Sequence, residues 1–177
     1  AADSKNTTRH NQQYEGKILM QLVTDRGTDI TPQQAEGLEI HYVPLIINLS
    51  DKTYYGGEDI TADEFYKLLL ATDDMPSTSQ PAPGDFSDLF LQLGKRDPDI
   101  LCVTISSGLS GTHSSAKAGA QLAQEENPDL NITIFDSMTL GGGLGWQVEA
   151  AARYIKAGMP LDEILANLEK IRTLTHT

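Results

Sequence analysis

The side chains best suited to chemistry lie in a stretch rich in hydroxyl groups and glycine, residues 106–112. Ser107 and Ser110 supply hydroxyl groups, while Gly108 and Gly111 let a ligand approach the backbone closely. An apolar, partly β-branched run precedes the stretch and a helical pattern follows it, so first-turn amides without intrahelical partners should lie beside it. Hydroxyl groups and free helix amides together favour an anion. The simpler alternative is that Ser110 only caps the helix.

A second group of hydroxyl side chains lies at residues 77–80, between Pro76 and Pro81. Proline interrupts helices and central strands, so this segment is predicted to be a stiff, extended loop. Hydroxyl groups held in this way, at Thr78 and Ser79, suit a preformed contact with a ligand. The alternative is that the segment is only a connector.

The sequence does not pair Ser110 with a catalytic base. A nucleophile elbow needs Gly-x-Ser-x-Gly, whereas residues 108–112 end in threonine. His113 lies in the same first helical turn as Ser110, where its ring is poorly placed to act as the base. The sequence also lacks a Gly-Lys-Ser/Thr phosphate loop, a dinucleotide fingerprint and Cys or His pairs at metal-ligand spacing.

These patterns predict a binding protein with no catalytic residues, no metal and no cofactor. Two alternatives from other classes stay open. One is a small serine esterase or phosphatase that uses Ser110, and the other is a regulatory interaction domain without a ligand.

The composition limits the classes of partner. The 177 residues suffice for one domain, and no apolar run approaches the ~20 residues that span a bilayer, so no integral membrane segment is expected. The net charge of −12 argues against nucleic acid and anionic membranes. The single cysteine, Cys102, lies in an apolar run, which predicts a buried thiol and fits a cytoplasmic location. Residues 1–16 are predicted to form a polar N-terminal arm rather than a secretion signal.

The elements that must position the two hydroxyl-bearing segments alternate along the chain. Apolar runs predict strands over residues 17–24, 40–49, 100–105 and 131–135. Pro44, inside the second run, predicts a sheet edge or a strand start. Capping and periodicity predict helices that begin near residues 31, 61, 85, 112, 141 and 160. This alternation predicts an α/β fold, a three-layer sandwich with a mostly parallel sheet flanked by helices. In such a sheet the ligand crevice lies at the carboxyl ends of the strands.

Several short motifs resemble the DegV family of bacterial fatty-acid-binding proteins. In chain order they are Val23-Thr24-Asp25, Val43-Pro44-Leu45, Phe65-Tyr66, Thr78-Ser79-Gln80-Pro81, Gly84-Asp85-Phe86, Ile105-Ser106-Ser107, Leu109-Ser110-Gly111-Thr112, Asp136-Ser137 and Gly143-Leu144-Gly145. Each motif is weak alone, but together they are specific. Residues 17–177 are therefore identified as a DegV-like α/β lipid-binding domain.

The resemblance implies a protein that binds one long-chain fatty acid, with the carboxylate outward and the acyl chain in an interior tunnel. It also implies presentation of the fatty acid to a separate fatty-acid kinase. By motif, Thr78 and Ser110 would hold the carboxylate, with Ser79, Gly111 and Ser107 beside them.

Three features depart from the family pattern. Arg26 stands where the family usually has serine, and it is either solvated or a cation beside the head group. Gly141 replaces a common serine, which removes one hydroxyl group. The chain stops at Thr177, about where the second lobe of the family should begin, so the C-terminal lobe is expected to be absent from this sequence.

Overall fold

The computed structural model describes residues 20–175. Its elements are β1 (Gln21–Asp25), β2 (His41–Val43), β3 (Ile46–Leu49), β4 (Lys52–Tyr55), α1 (Ala62–Leu70), β5 (Ser77–Ser79), α2 (Pro83–Gly94), β6 (Asp99–Thr104), α3 (Thr112–Glu126), β7 (Asn131–Asp136), α4 (Gly141–Lys156) and α5 (Leu161–Leu174). The predicted polar arm, residues 1–16, lies outside the described residues.

Four strands form a parallel sheet in the order β2-β1-β6-β7. In its register, Val23 lies between His41 and Cys102, and Cys102 pairs in turn with Ile134. Because the strands run in one direction, the loops that follow β1, β6 and β7 all lie at the carboxyl end of the sheet. The mostly parallel sheet predicted from the sequence is confirmed.

Different helices cover the two faces of this sheet. Successive residues of β1 point to opposite faces, so Leu22 packs with α4 and α5, whereas Val23 packs with α2 and α3. Fully buried Leu144 and Phe86 mark the centres of the two apolar layers. The predicted three-layer sandwich is therefore confirmed. Within residues 20–175, every helix is too short or too polar to span a lipid bilayer.

A smaller antiparallel sheet, in the order β4-β3-β5, lies beside the sandwich. The β3–β4 hairpin turns at Ser50, which adopts a φ of 56°. Strand β5 pairs with β3 so that Thr78 lies opposite Ile47. The segment predicted as an extended loop is thus an edge strand, a position that its flanking prolines permit.

Two elements differ from the sequence predictions. The apolar run at residues 40–49 forms two strands rather than one, and β2 and β3 join different sheets. Pro44, expected at a sheet edge or a strand start, lies between them, after the edge strand β2 and before β3. A short helix is predicted from Thr31, but residues 32–37 form only turns, with Ala35 N donating to Thr31 O at 3.0 Å. The chain leaves these turns at Gly37, whose φ is 70°.

Candidate functional site

The loop between β6 and α3, residues 105–111, is held from beneath by the buried carboxylate of Asp25. One carboxylate oxygen accepts from the Ile105 amide at 2.8 Å, and the other accepts from the Gly27 amide at 2.7 Å. Burial raises the pKa of Asp25, although the hydrogen bonds from Ile105 and Gly27 oppose this shift. The end of β1 therefore fixes where the hydroxyl-bearing loop begins.

A second carboxylate, that of Asp136 at the end of β7, holds the same loop from the side. Its Oδ1 accepts from the amides of Ser107 at 3.2 Å and Met138 at 3.0 Å. Burial alone would raise the pKa of Asp136, but hydrogen bonds from the Ser107 hydroxyl and from these amides lower it. Ser107, predicted beside a bound carboxylate, thus bonds to a carboxylate of the protein itself.

Ser110 stands where the loop enters α3. Its hydroxyl group lies 2.9 Å from the Thr112 hydroxyl and accepts from the Thr112 amide at 3.3 Å, while Gly111 occupies the N-cap position. Ser110 is therefore not the N-cap residue of α3, although its oxygen accepts from the first amide of the helix. When the Thr112 hydroxyl donates in this contact, the O–H of Ser110 stays free to donate to an anion, together with amides of the first turn of α3.

Strand β5 brings the second hydroxyl-bearing segment to the same helix terminus. The side chains of Thr78 and Ser79 are exposed on this edge strand. Directly after them, the side-chain amide of Gln80 packs on Gly111, because a Cβ atom at Gly111 would lie only 2.6 to 2.7 Å from the amide atoms. The two segments, about 30 residues apart in sequence, are thus in contact.

A polar cleft of about 440 Å³ lies along this contact. Its lining comprises Thr78, Ser79, Gln80, Pro81, Ala82, Pro83 and Ser115. Of the predicted residues, Thr78 and Ser79 line the cleft, Gly111 contacts its edge through Gln80, and Ser107 lies at Asp136. The sequence prediction missed Gln80 and Ser115. Ser115 follows Gly111 by one helical turn, and this spacing is the signal that could have identified it.

The nearest histidine in sequence to Ser110, His113, contacts a different side chain. Nδ1 of His113 lies 3.0 Å from the Thr104 hydroxyl. Burial lowers the pKa of His113, although Asp136 opposes this shift. Thus His113 bonds to Thr104, while the Ser110 hydroxyl bonds to Thr112. Among residues 20–175, no group of three or more His, Cys, Asp or Glu side chains is arranged as a metal site.

The structure also gives the surroundings of three other residues discussed in the sequence analysis, Arg26, Thr24 and Gly141. The Arg26 guanidinium stacks at 4.0 Å from the centre of the Tyr42 ring. Thr24 is fully buried within β1, and its hydroxyl group has no hydrogen-bond partner in the described part of the chain. Gly141 adopts a φ of 58°, in the left-handed region that glycine enters without steric cost.

Comparison with curated proteins finds DegV relatives in bacteria. Residues 20–177 match the family described as "Uncharacterised protein, DegV family". The DegV domain-containing protein SACOL1460 of Staphylococcus aureus is 34% identical over 151 residues, which cover 85% of this chain and 52% of the relative. The chain thus spans about half the length of the curated relatives it matches.

Two solved structures share the fold. A fatty-acid-binding DegV family protein from Thermus thermophilus superposes with a TM-score of 0.76 at 32% identity, covering 87% of this chain and 53% of that one. The Fatty Acid Kinase (Fak) B3 protein of Streptococcus pneumoniae, loaded with linoleic acid, gives a TM-score of 0.74 at 26% identity, covering 87% and 54%. By sequence and by fold, this chain belongs to the DegV family.

Proposed function

We propose that residues 17–177 form a lipid-binding α/β domain that holds the carboxylate of one long-chain fatty acid at the polar cleft. The observation that carries this proposal is the contact between Gln80 and Gly111, which joins the hydroxyl groups of β5 to the N-terminus of α3. The donors are Thr78, Ser79, Ser110 and the backbone at Gly111. We call these four residues the hydroxyl clamp.

The physical basis is a set of neutral donors at a helix terminus. Hydroxyl and amide groups that donate to a carboxylate form charge-assisted hydrogen bonds, which are stronger than bonds between neutral groups. The N-terminus of α3 adds a partial positive charge. Because these donors carry no formal charge, they can bind an anion in a chain whose net charge is −12.

In this proposal Ser107 acts through the shape of the loop. Its amide donates to Asp136, and this bond holds the loop that carries Ser110 and Gly111. Arg26 stacks on Tyr42 at the exposed end of β1, which favours the interpretation of this cation as a solvated, stacked side chain.

The acyl chain would extend from the cleft into the apolar layer beneath it. Pro81 of the cleft is buried, and Ser115 is followed on α3 by fully buried Ala116. In the same layer, Phe86 and Phe90 of α2 are also fully buried. This direction supports an arrangement with the carboxylate outward and the hydrocarbon inside.

The proposed role is binding and presentation rather than catalysis. The solved neighbours are described as a fatty-acid-binding protein and a fatty-acid kinase protein loaded with linoleic acid. This chain is therefore proposed to present its fatty acid to a fatty-acid kinase. We place it in the cytoplasm, where the free, buried thiol of Cys102 fits a reducing environment.

Native mass spectrometry of the purified chain, followed by solvent extraction of the bound lipid, tests this proposal. The expected result is a one-to-one complex with a long-chain fatty acid, either as purified or after incubation of the delipidated protein with oleic acid. A folded protein that stays empty after this incubation would contradict it. Hydrolysis of a generic ester, lost on Ser110→Ala, would support the esterase alternative instead.

A further inference from the structure

The exposed side chain of Gln80 packs its amide group against the backbone of Gly111. The position of a Cβ atom on Gly111 lies 2.6 Å from Nε2 of Gln80, 2.7 Å from Cδ and 2.7 Å from Oε1. A point 2.6 to 2.7 Å from all three atoms of a planar amide cannot lie in the plane of that amide, so the Cβ position at Gly111 lies above the face of the Gln80 amide. The amide of Gln80 is therefore stacked face-on against Gly111, at the N-cap of α3.

This packing leaves the polar edges of the amide available. Among residues 20–175, no donor or acceptor forms a hydrogen bond with Nε2 or Oε1 of Gln80. The same side chain lines the cleft together with Thr78, Ser79 and Ser115. The amide thus lies with one face on Gly111 and with its hydrogen-bonding groups free beside the hydroxyl clamp.

We propose that Gln80 is a further head-group ligand, which donates from Nε2 to a carboxylate oxygen of the bound fatty acid, and that Gly111 lacks a side chain so that this amide can lie there. The inference rests on the proposed function and names a donor beyond the hydroxyl clamp. An amide is a neutral donor, so it selects a group that accepts hydrogen bonds without adding charge to the site.

Gly111→Ala separates the position of the amide from the stability of the fold. Gly111 has a φ of −70° and a ψ of −2°, which alanine adopts without strain. The three heavy atoms nearest to the new methyl group all belong to the end of the flexible Gln80 side chain, so the Gln80 amide must move while the backbone stays in place. The matched control is Gly142→Ala, since a Cβ atom at Gly142 meets nothing within 4 Å.

The experiment measures oleate affinity by isothermal titration calorimetry, with thermal unfolding to confirm that each variant folds. Gln80→Ala and Gly111→Ala should each weaken binding about tenfold, because each removes one hydrogen bond to a charged group. The double variant should bind about as weakly as Gln80→Ala alone. Gln80→Glu should weaken binding further by placing a negative charge beside the ligand, and Gly142→Ala should bind as the parent does.

Two results would overturn the inference while the proposed function stands. One is Gln80→Ala binding oleate as tightly as the parent chain. The other is Gly111→Ala weakening binding equally with and without Gln80, which would show that the glycine serves something other than the amide. A folded parent chain that binds no oleate would overturn both the inference and the proposed function.

Discussion

Single residues in this site divide into those that hold the loop and those that face the cleft. Asp25 and Asp136 each accept backbone amides of the β6–α3 loop, so both carboxylates are occupied by the protein. Thr78 and Ser79 instead expose their hydroxyl groups on an edge strand. Substitutions in the first group should change the shape of the loop, and those in the second group should change contacts with the ligand.

The hydroxyl groups of the clamp give the first prediction. Thr78→Val and Ser110→Ala should each weaken fatty-acid binding by about 1–3 kcal/mol, because a carboxylate loses a charge-assisted hydrogen bond. Calorimetric titration with oleate measures the change. The control is Ser114→Ala, which removes an exposed hydroxyl group from the first turn of α3. Unchanged affinity in both clamp variants would place the head group elsewhere.

The lowered pKa of Asp136 gives a prediction on pH. A carboxylate whose pKa is lower in the folded state stabilises the fold above its unfolded pKa of about 3.9, and this stabilisation is lost as the pH falls through the lower, folded value. The variant Asp136→Asn has no carboxyl group at this position, so it lacks this pH-dependent stabilisation. The parent chain should therefore exceed the variant in stability by more at pH 6 than at pH 3.

Urea unfolding at the two pH values measures this difference. Asp88→Asn, on an exposed part of α2, is the control and should change little at either pH. The difference in free energy of unfolding between the parent and Asp136→Asn should shrink at pH 3. A difference that stays constant, or that grows at pH 3, would contradict the role given to Asp136.

At the scale of elements, the crossing of α2 over α3 sets the geometry of the cleft. Pro83 at the start of α2 and Ser115 in α3 both line the cleft. Gly119, one turn after Ser115, lets the helices approach closely, since a Cβ atom there would lie 2.6 Å from the Pro83 carbonyl oxygen and 2.6 Å from Phe86 Cβ. The spacing of these two helices therefore depends on one missing side chain.

Gly119→Ala should destabilise the protein by about 1–3 kcal/mol, because the new methyl group meets backbone atoms that cannot move alone. The control is Gly84→Ala in α2, where a Cβ atom meets nothing within 4 Å. Alanine there should be neutral or stabilising, by up to about 1 kcal/mol, as expected within a helix. Chemical denaturation of both variants checks the contrast. If Gly119→Ala and Gly84→Ala changed the free energy of unfolding equally, the close approach of α2 and α3 would not require glycine at position 119.

At the scale of the whole molecule, the net charge of −12 opposes the approach of an anionic ligand. Salt screens this repulsion, because the Debye length falls from about 30 Å at 0.01 M to about 8 Å at 0.15 M ionic strength. The association rate of a fatty-acid anion should therefore rise with salt over this range. Stopped-flow fluorescence with decanoate measures the rate.

The neutral alcohol decanol is the control, and its rate should depend little on salt. A decanoate rate that falls with added salt would show that local positive charge outweighs the net charge. Arg26, exposed at the end of β1, would then be the first cation to test, by Arg26→Gln.

Local sequence determines most of the elements, because their signals act over a few residues. The capping box at Thr61 predicts α1, and Glu64 bonds back to Thr61 as that motif requires. Apolar runs predict β6 and β7, and apolar periodicity predicts α4 and α5. The alternation of these elements then requires a parallel sheet with helices on both faces. The order of the motifs along the chain is likewise enough to identify the family.

Tertiary structure alone decides how the site is assembled. Pro44 divides an apolar run between two sheets, and β5 becomes a strand only because β3 offers an edge to pair with. Ser107 bonds to Asp136, and Gln80 reaches Gly111, across about 30 residues in each case. Contacts at such separations depend on how whole elements pack, which spacing along the chain does not encode. The sequence alone therefore identifies the hydroxyl groups, while the packing of β5, α2 and α3 decides which of them face the cleft.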